Sequence, residues 1–397
     1  MRQTEQAPRH PTPAITLSPR KKAAFALFVL SFFLVAGYSL WCVGWSWKVY
    51  RYLKDDRRGW RGTVHRADAE LGYASIPGSE GEQTFAIGPD LPIRYDENGF
   101  RVPPAANAST PSADGLRILT LGCSFTFGDA CPAEETFAFR LQKELQGTVL
   151  NAGKCSYGLA QMVLLARELI PRHKPDLVVV QYSPWLLDRS MTCYLPSYYG
   201  AMPGPYFCER EGKLEIARPV FAWSPQDFSH YRDTPKSFGE FLSFAARHAI
   251  PLKIHDDLGR SATSVKQRLG LTPVPCRDAE QVVAAGYSEL EKLCQDAQAQ
   301  MVVVVLGGSS EPVTVPAYLA ELGVPLAHAH EAMIEQLTER DQENYLKTYA
   351  NWRGEPPRMV DTHPNAQAHE IIANCIVDAL RQADHARMAN EQPATVR

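Results

Sequence analysis

The sequence predicts an α/β protein whose parallel sheet is covered by helices on both faces. Three observations carry that prediction. From Leu116 onward, short apolar runs alternate with stretches of helical spacing. Residues 176–181 (DLVVVQ) and 301–306 (MVVVVL) are continuous apolar runs, as strands buried on both faces require. No internal repeat period is visible, which argues against a solenoid or propeller.

The elements follow in order. Ile93-Arg94-Tyr95 and Phe100-Arg101-Val102 flank Asn98-Gly99, a hairpin signal. Residues 103–115 are a loop by composition. Residues 117–121 form the first core strand, and 134–146 a helix whose spacing runs through Phe137, Phe139, Leu141 and Leu145. A strand over 148–152 and a helix over 159–170 come next, before the 176–181 strand. The rhythm breaks over about 186–277, which is rich in Tyr, Phe, Pro and Trp and has no obvious central strand. It resumes with a helix over 279–298, the 301–306 strand, a helical region near 331–339 and a last helix over 365–382.

The chain has 397 residues, 45% hydrophobic and 21% charged, with a net charge of −3. That is globular composition. It lacks the concentrated basic face that nucleic-acid binding requires.

Residues 23–47 carry no charge and are rich in Phe, Leu and Val. About 20 apolar residues in a helix span a bilayer. Trp41, Trp45 and Trp47 gather at one end, where indole rings favour the interface. A cleaved signal peptide needs a shorter apolar region and a small-x-small site, and Ser39-Leu40-Trp41 is a poor one. An uncleaved, single-pass anchor is the expectation. Arg2, Arg9, Arg20, Lys21 and Lys22 on one side nearly balance Lys48, Arg51, Lys54, Arg57, Arg58 and Arg61 on the other, so charge alone sets no orientation. The nine cysteines form no CxxC pair or Cys/His metal spacing. Cys193 and Cys208 flank an aromatic-rich loop and are read equally as a disulfide or as free thiols.

In parallel sheets the chemistry lies at the carboxyl ends of the strands. After the first core strand comes Gly122-Cys123-Ser124-Phe125-Thr126-Phe127-Gly128. A serine between strand end and helix start is placed to be a nucleophile, with its own N–H facing a developing oxyanion. Asn151–Gly158 follows the second strand and offers backbone N–H groups on the same rim. Near the C-terminus, Asp361-Thr362-His363-Pro364-Asn365 opens the last helix. Imidazole is the base a serine needs, and a carboxylate fixes its tautomer. Pro364 suits the first helical turn. His328 and His330 alternate at strand spacing without a convincing third ligand, and Gly307-Gly308-Ser309-Ser310 lacks the lysine of a phosphate loop, so both receive ordinary structural readings.

Taken together, these blocks resemble the SGNH/GDSL hydrolase superfamily, in particular its bacterial branch with an N-terminal transmembrane segment and a leader like IRYDENGFRV. The resemblance runs over about residues 70–180 and 280–380. ILTLGCSFTFGDACPAEETFAFRLQKEL matches the first block and DTHPNAQAHEIIA the last. It implies a flavodoxin-like three-layer α/β/α sandwich, with Ser124 as nucleophile, His363 as base and Asp361 as its carboxylate. It also implies an oxyanion hole from Ser124 and from Ser156 or Gly158, with no metal and no cofactor. Three departures stand out. Cys123 occupies a position that is usually Asp. Ser156 stands where the family offers a glycine N–H. Trp185 falls nearest the usual third-block Asn, with Gln181 and Ser183 as other substitutes.

The implied division is a disordered tail over 1–22, a transmembrane helix over 23–47 and a linker with a β-rich extension over 48–115. A hydrolase-like domain over 116–385 follows, interrupted by a lid-like insertion at about 186–277, with a disordered tail over 386–397. The expected function is serine-dependent hydrolysis of an acyl ester, of an envelope polysaccharide or a lipid. The alternatives are O-acyl transfer to an envelope glycan, and a catalytically weak glycan-binding scaffold. The resemblance implies a cytoplasmic-membrane anchor with the large domain outside the membrane.

Overall fold

The computed structural model describes residues 18–56, 59–104, 115–197, 200–220, 237–247 and 249–391. The chain divides after Lys48 into a small N-terminal unit and one large unit.

A continuous helix covers Pro19–Asp56. It starts four residues before the expected span and ends nine residues after it, so Pro19–Lys22 are helical rather than part of a disordered tail. Its Pro19–Arg51 portion, with a mean hydropathy of 2.1 over its most apolar 18 residues, is long and apolar enough to cross a membrane. Phe25, Phe28, Phe32 and Phe33 are exposed. A helix that is apolar all round has no single buried face to offer a water-soluble core.

The large unit is built on a mixed sheet of nine strands. In spatial order they are Gly59–Arg61, Glu80–Thr84, Leu91–Tyr95, Arg101–Val102, Thr148–Asn151, Arg117–Leu121, Leu177–Tyr182, Gln300–Val305 and Leu326–Ala327. The last five run parallel. Numbered along the chain they lie in the order 2-1-3-4-5, the flavodoxin-like arrangement. Leu177–Tyr182 is buried at every position, as its unbroken apolar run requires. The helices Leu159–His173 and Ala279–Asp296 pack together in one layer. Phe137–Glu144 and Ala366–Glu391 pack together in another. The expected three-layer α/β/α sandwich is therefore present.

The β-rich extension is part of this sheet. Four of its strands, antiparallel, join the parallel edge where Arg101 pairs with Asn151, while His65–Asp68 and Gly72–Ser75 pair apart from the main sheet. The Asn98-Gly99 turn works as the hairpin signal required. Asp96 accepts the Asn98 and Phe100 N–H groups at 2.9 Å each, and Gly99 takes φ +83°. Arg101 is fully buried. Its guanidinium donates to the Gly128 carbonyl at 2.6 Å and the Cys131 carbonyl at 2.7 Å, and lies 4.3 Å over the Phe127 ring. The leader is thereby tied to the segment that follows Ser124.

Within 186–277, the described residues form the end of a helix over Pro184–Ser190, two hairpins, and the helices Phe238–Arg247 and Ala249–Arg268, and none of these strands enters the main sheet. Tyr206 packs with Cys193 and Cys208 in a small apolar cluster, while Phe207 joins the main core. Tyr198, Tyr199, Phe221 and Trp223 lie outside the described residues. All nine cysteines are free thiols, including Cys193 and Cys208.

Three local readings change. The last helix covers Ala366–Glu391, so 386–391 are helical rather than part of a disordered tail. Leu326–Ala327 is the edge strand, and His328 then caps a helix over Ala329–Glu335. His328 and His330 therefore sit at helical rather than strand spacing, and His330 is buried against Gly307 with Nε2 at 2.8 Å from the Glu311 carbonyl. A helix over Gln342–Tyr349, capped by Asp341, occupies the segment between the 331–339 region and the last block.

Candidate active site

Ser124 opens the four-residue helix Ser124–Phe127, directly after the strand Arg117–Leu121. That turn is tight, and Gly122 makes it possible. A Cβ there would lie 2.0 Å from Thr126 Oγ1 and 2.5 Å from Gln181 Oε1. The first N–H groups of any helix lack intrahelical acceptors, which is why the Ser124 N–H suits an oxyanion.

His363 arrives from the other end of the chain. The hairpin of Asn351–Arg353 with Arg358–Asp361 ends at Asp361, which is buried. Asn351 Nδ2 donates to the His363 carbonyl at 2.8 Å and fixes the loop. Asn365 caps the last helix, its Oδ1 accepting the Ala368 N–H at 3.0 Å, so Pro364 lies just before the helix rather than in its first turn. With that cap supplied by Asn365, Asp361 turns to His363. Its Oδ1 lies 2.6 Å from His363 Nδ1 and accepts the His363 N–H at 2.6 Å. His363 Nε2 lies 2.8 Å from Ser124 Oγ. Phe125 contacts the imidazole edge-on at 5.2 Å between centroids. Serine, imidazole and carboxylate thus stand in one hydrogen-bonded line. With Nδ1–H on Asp361, Nε2 is the acceptor for the serine proton.

Beneath the serine lies a buried polar network, at the position where the resemblance leads one to expect an aspartate. Cys123 is fully buried, and its sulfur accepts from Gln181 Nε2 at 3.2 Å and Trp185 Nε1 at 3.4 Å. Burial pushes its thiol up, but Arg189 and hydrogen bonds from Trp185, the Phe125 backbone and Gln181 outweigh burial and leave it below the ordinary cysteine value. Gln181 Oε1 accepts from the Cys123 N–H at 3.0 Å and Thr126 Oγ1 at 2.8 Å. Ser183 Oγ accepts from Gln181 Nε2 at 2.8 Å and donates to the Leu306 carbonyl at 2.7 Å.

The expected oxyanion donors separate on this geometry. Trp185 spends its indole N–H on Cys123, so it does not stand in for the missing asparagine. Gln181 and Ser183 are committed to the network under the serine. The Gly158 N–H is bound to Gln161 Oε1 at 2.8 Å, where Gly158 caps the helix Leu159–His173. Gly158 and Trp185 are therefore corrected out of the oxyanion set. In the same loop, Gly153 donates to Asn151 at 3.1 Å and Lys154 to the Gly122 carbonyl at 3.2 Å. Ser156 sits in left-handed backbone, φ +61°. That conformation favours glycine, the residue the resemblance leads one to expect there.

Sequence alone does not mark Asp129, yet its carboxylate Oδ2 lies 3.8 Å from His363 Nε2. The one available signal was an acidic residue just beyond the short helix. Alongside these segments runs a cavity of about 700 Å³. Cys131 and Pro132 line one side, and Asn351, Asn365 and Trp352 another. Among the described residues, no group of three or more His, Cys, Asp or Glu side chains is arranged to hold a metal ion.

No family model and no curated protein matches the chain. Among solved structures it is similar to TesA, with 11% identity and a TM-score of 0.33 over 67% of this chain and 99% of that one. It is also similar to a catalytic mutant of Axe2, an acetylxylan esterase from Geobacillus stearothermophilus, with 11% identity, a TM-score of 0.33 and coverage of 68% and 96%. A GDSL-like lipase from Bacteroides thetaiotaomicron gives 12% identity, a TM-score of 0.31 and coverage of 70% and 94%. At these scores the likeness assigns no chemistry to this chain.

Proposed function

We propose that the chain is an SGNH-type serine hydrolase that cleaves acyl esters. The observation that carries this reading is the line from Asp361 through His363 to Ser124, with contacts of 2.6 and 2.8 Å. Ser124 Oγ attacks the ester carbonyl while His363 Nε2 takes its proton. Asp361 holds the imidazole and stabilises the imidazolium. The Ser124 N–H, with Ser156, receives the oxyanion. The leaving alcohol departs with the proton from His363. Water then releases the acyl group by the same steps in reverse order.

The 2.8 Å serine–histidine contact favours an enzyme over a glycan-binding scaffold, because a pure binder has no use for an aligned base. An acylated envelope glycan is the favoured substrate class. The cavity beside the His363 loop carries the exposed indole of Trp352, a surface on which a sugar ring stacks. Transfer of the acyl group to a glycan hydroxyl uses the same covalent intermediate as hydrolysis. The Pro19–Asp56 helix anchors the chain in the cytoplasmic membrane, with the large unit on the outer side.

The test is a panel of p-nitrophenyl esters and acetylated oligosaccharides, assayed with wild type and Ser124→Ala. Acetate or another acid should appear with wild type only. Equal release by Ser124→Ala would end the proposal.

A further inference from the structure

Asp129 is held in place more firmly than a surface carboxylate needs. It is 8% exposed and follows the helix Ser124–Phe127, with its N–H on the Ser124 carbonyl at 3.0 Å. Its Oδ1 accepts from Gln83 Nε2 at 3.0 Å and from the Cys155 thiol at 3.3 Å. Burial and Asp129 itself keep Cys155 protonated, so the sulfur is a donor. Gln83 closes the clamp by accepting the Ala130 N–H at 2.9 Å. The backbone on both sides is left-handed, φ +82° at Gly128 and +60° at Ala130. Alanine rarely adopts that conformation, so the surrounding contacts enforce it.

This clamp fixes Oδ1 and leaves Oδ2 aimed at the catalytic base, 3.8 Å from His363 Nε2. The separation is too long for a direct hydrogen bond. It is a distance that one small hydroxylic molecule bridges. Nε2 is the atom that must deprotonate the acyl acceptor.

We propose that Asp129 is a catalytic residue of the deacylation half-reaction, which orients the acyl acceptor by accepting its second O–H while His363 takes the first. This rests on the ester-hydrolase reading. The acceptor chemistry is a pair of O–H donors: the two hydrogens of one water, or neighbouring hydroxyls of a diol. In the step, the acceptor oxygen bonds to the acyl carbon and its proton moves to His363 Nε2. The bond from the acyl carbon to Ser124 Oγ then breaks, and Oγ regains the proton. Gln83, contributed by the antiparallel extension, is a positioning residue that acts through Asp129.

p-Nitrophenyl acetate separates the two halves. Its phenolate leaves without a proton and brings no second O–H, so acylation bypasses Asp129. Rapid-mixing assays of full-length Asp129→Asn should show a p-nitrophenolate burst at the wild-type rate, followed by turnover slowed by about 10²-fold. Intact mass should show acetyl-Ser124 accumulating. Gln83→Leu should show the same split in weaker form. Formate should speed deacylation of Asp129→Ala and leave wild type unchanged. Ethylene glycol should accelerate deacylation more than 1-propanol does in wild type, and equally in Asp129→Asn, if a diol is the acceptor. Equal acceleration in wild type, with the other results intact, assigns the role to water. Burst and turnover falling together, or no formate response, would overturn the role of Asp129 and leave the hydrolase reading standing. No acetyl adduct and no hydrolysis in wild type would overturn both.

Discussion

Gln181 grips Cys123 from both ends of its amide. Its Oε1 takes the Cys123 N–H at 3.0 Å, and its Nε2 donates to the Cys123 sulfur at 3.2 Å. Both side chains are fully buried under the serine turn. The sulfur thus serves as an acceptor where the family resemblance leads one to expect a carboxylate. Cys123→Ala leaves the Gln181 amide and the Trp185 indole without that acceptor. Unpaired buried donors cost about 1–3 kcal/mol. Urea unfolding should show a loss of that size. Cys123→Ser, which keeps an acceptor, should recover part of it.

Asp361→Asn should leave the fold intact and stop the chemistry. The amide cannot hold His363 with Nδ1 protonated as the carboxylate does. The expected loss in kcat is on the order of 10⁴, with KM little changed. A stopped assay with a p-nitrophenyl ester, beside a thermal melt, separates lost catalysis from lost structure.

Two buried histidines make stability fall in acid. Burial first, then Lys154, lowers His65 to about 3. Burial first, then Arg101, Arg140 and His363, lowers His369 to about 3. Between pH 3 and 6.5 the unfolded chain binds protons at these sites that the folded chain refuses. Stability from these groups is therefore full above pH 6.5 and declines as pH falls toward 3. Denaturant melts of His369→Gln should show a shallower decline across this window than wild type.

The helix Pro19–Asp56 should keep the protein with membranes. Full-length chain should pellet with membranes and resist alkaline carbonate. A chain starting at Val49, where the large unit begins, should appear in the soluble fraction. An alkaline-phosphatase fusion after residue 62 should be active if the large unit lies outside.

Much of this arrangement is legible in the sequence because it is written in local patterns. The 176–181 and 301–306 runs have room for no element but a doubly buried strand. Ser124 and His363 sit at element boundaries whose residue types narrow the chemistry. The Pro19–Lys22 portion of the first helix is harder to see, since its charges end the apolar run before the helix itself ends. Asp129 and Gln83 are 46 positions apart, and nothing local announces that a strand of the extension reaches the site. Trp185 falls nearest the third-block position by counting, yet its indole N–H is not free for the oxyanion. Counting gives a position along the strand end and no direction for the indole N–H, which turns down to Cys123. Gly158 fails for the same reason, because Gln161, one turn into the next helix, reaches back to its N–H.

The central claim is that one hydroxyl in this chain becomes a nucleophile, and covalent labelling tests it most directly. A fluorophosphonate probe followed by peptide mapping should place a single adduct on Ser124 in wild type. Labelling should be strongly reduced in His363→Ala and absent in Ser124→Ala. Unlabelled Ser124 in folded wild type, or an adduct that survives in Ser124→Ala, would contradict the account.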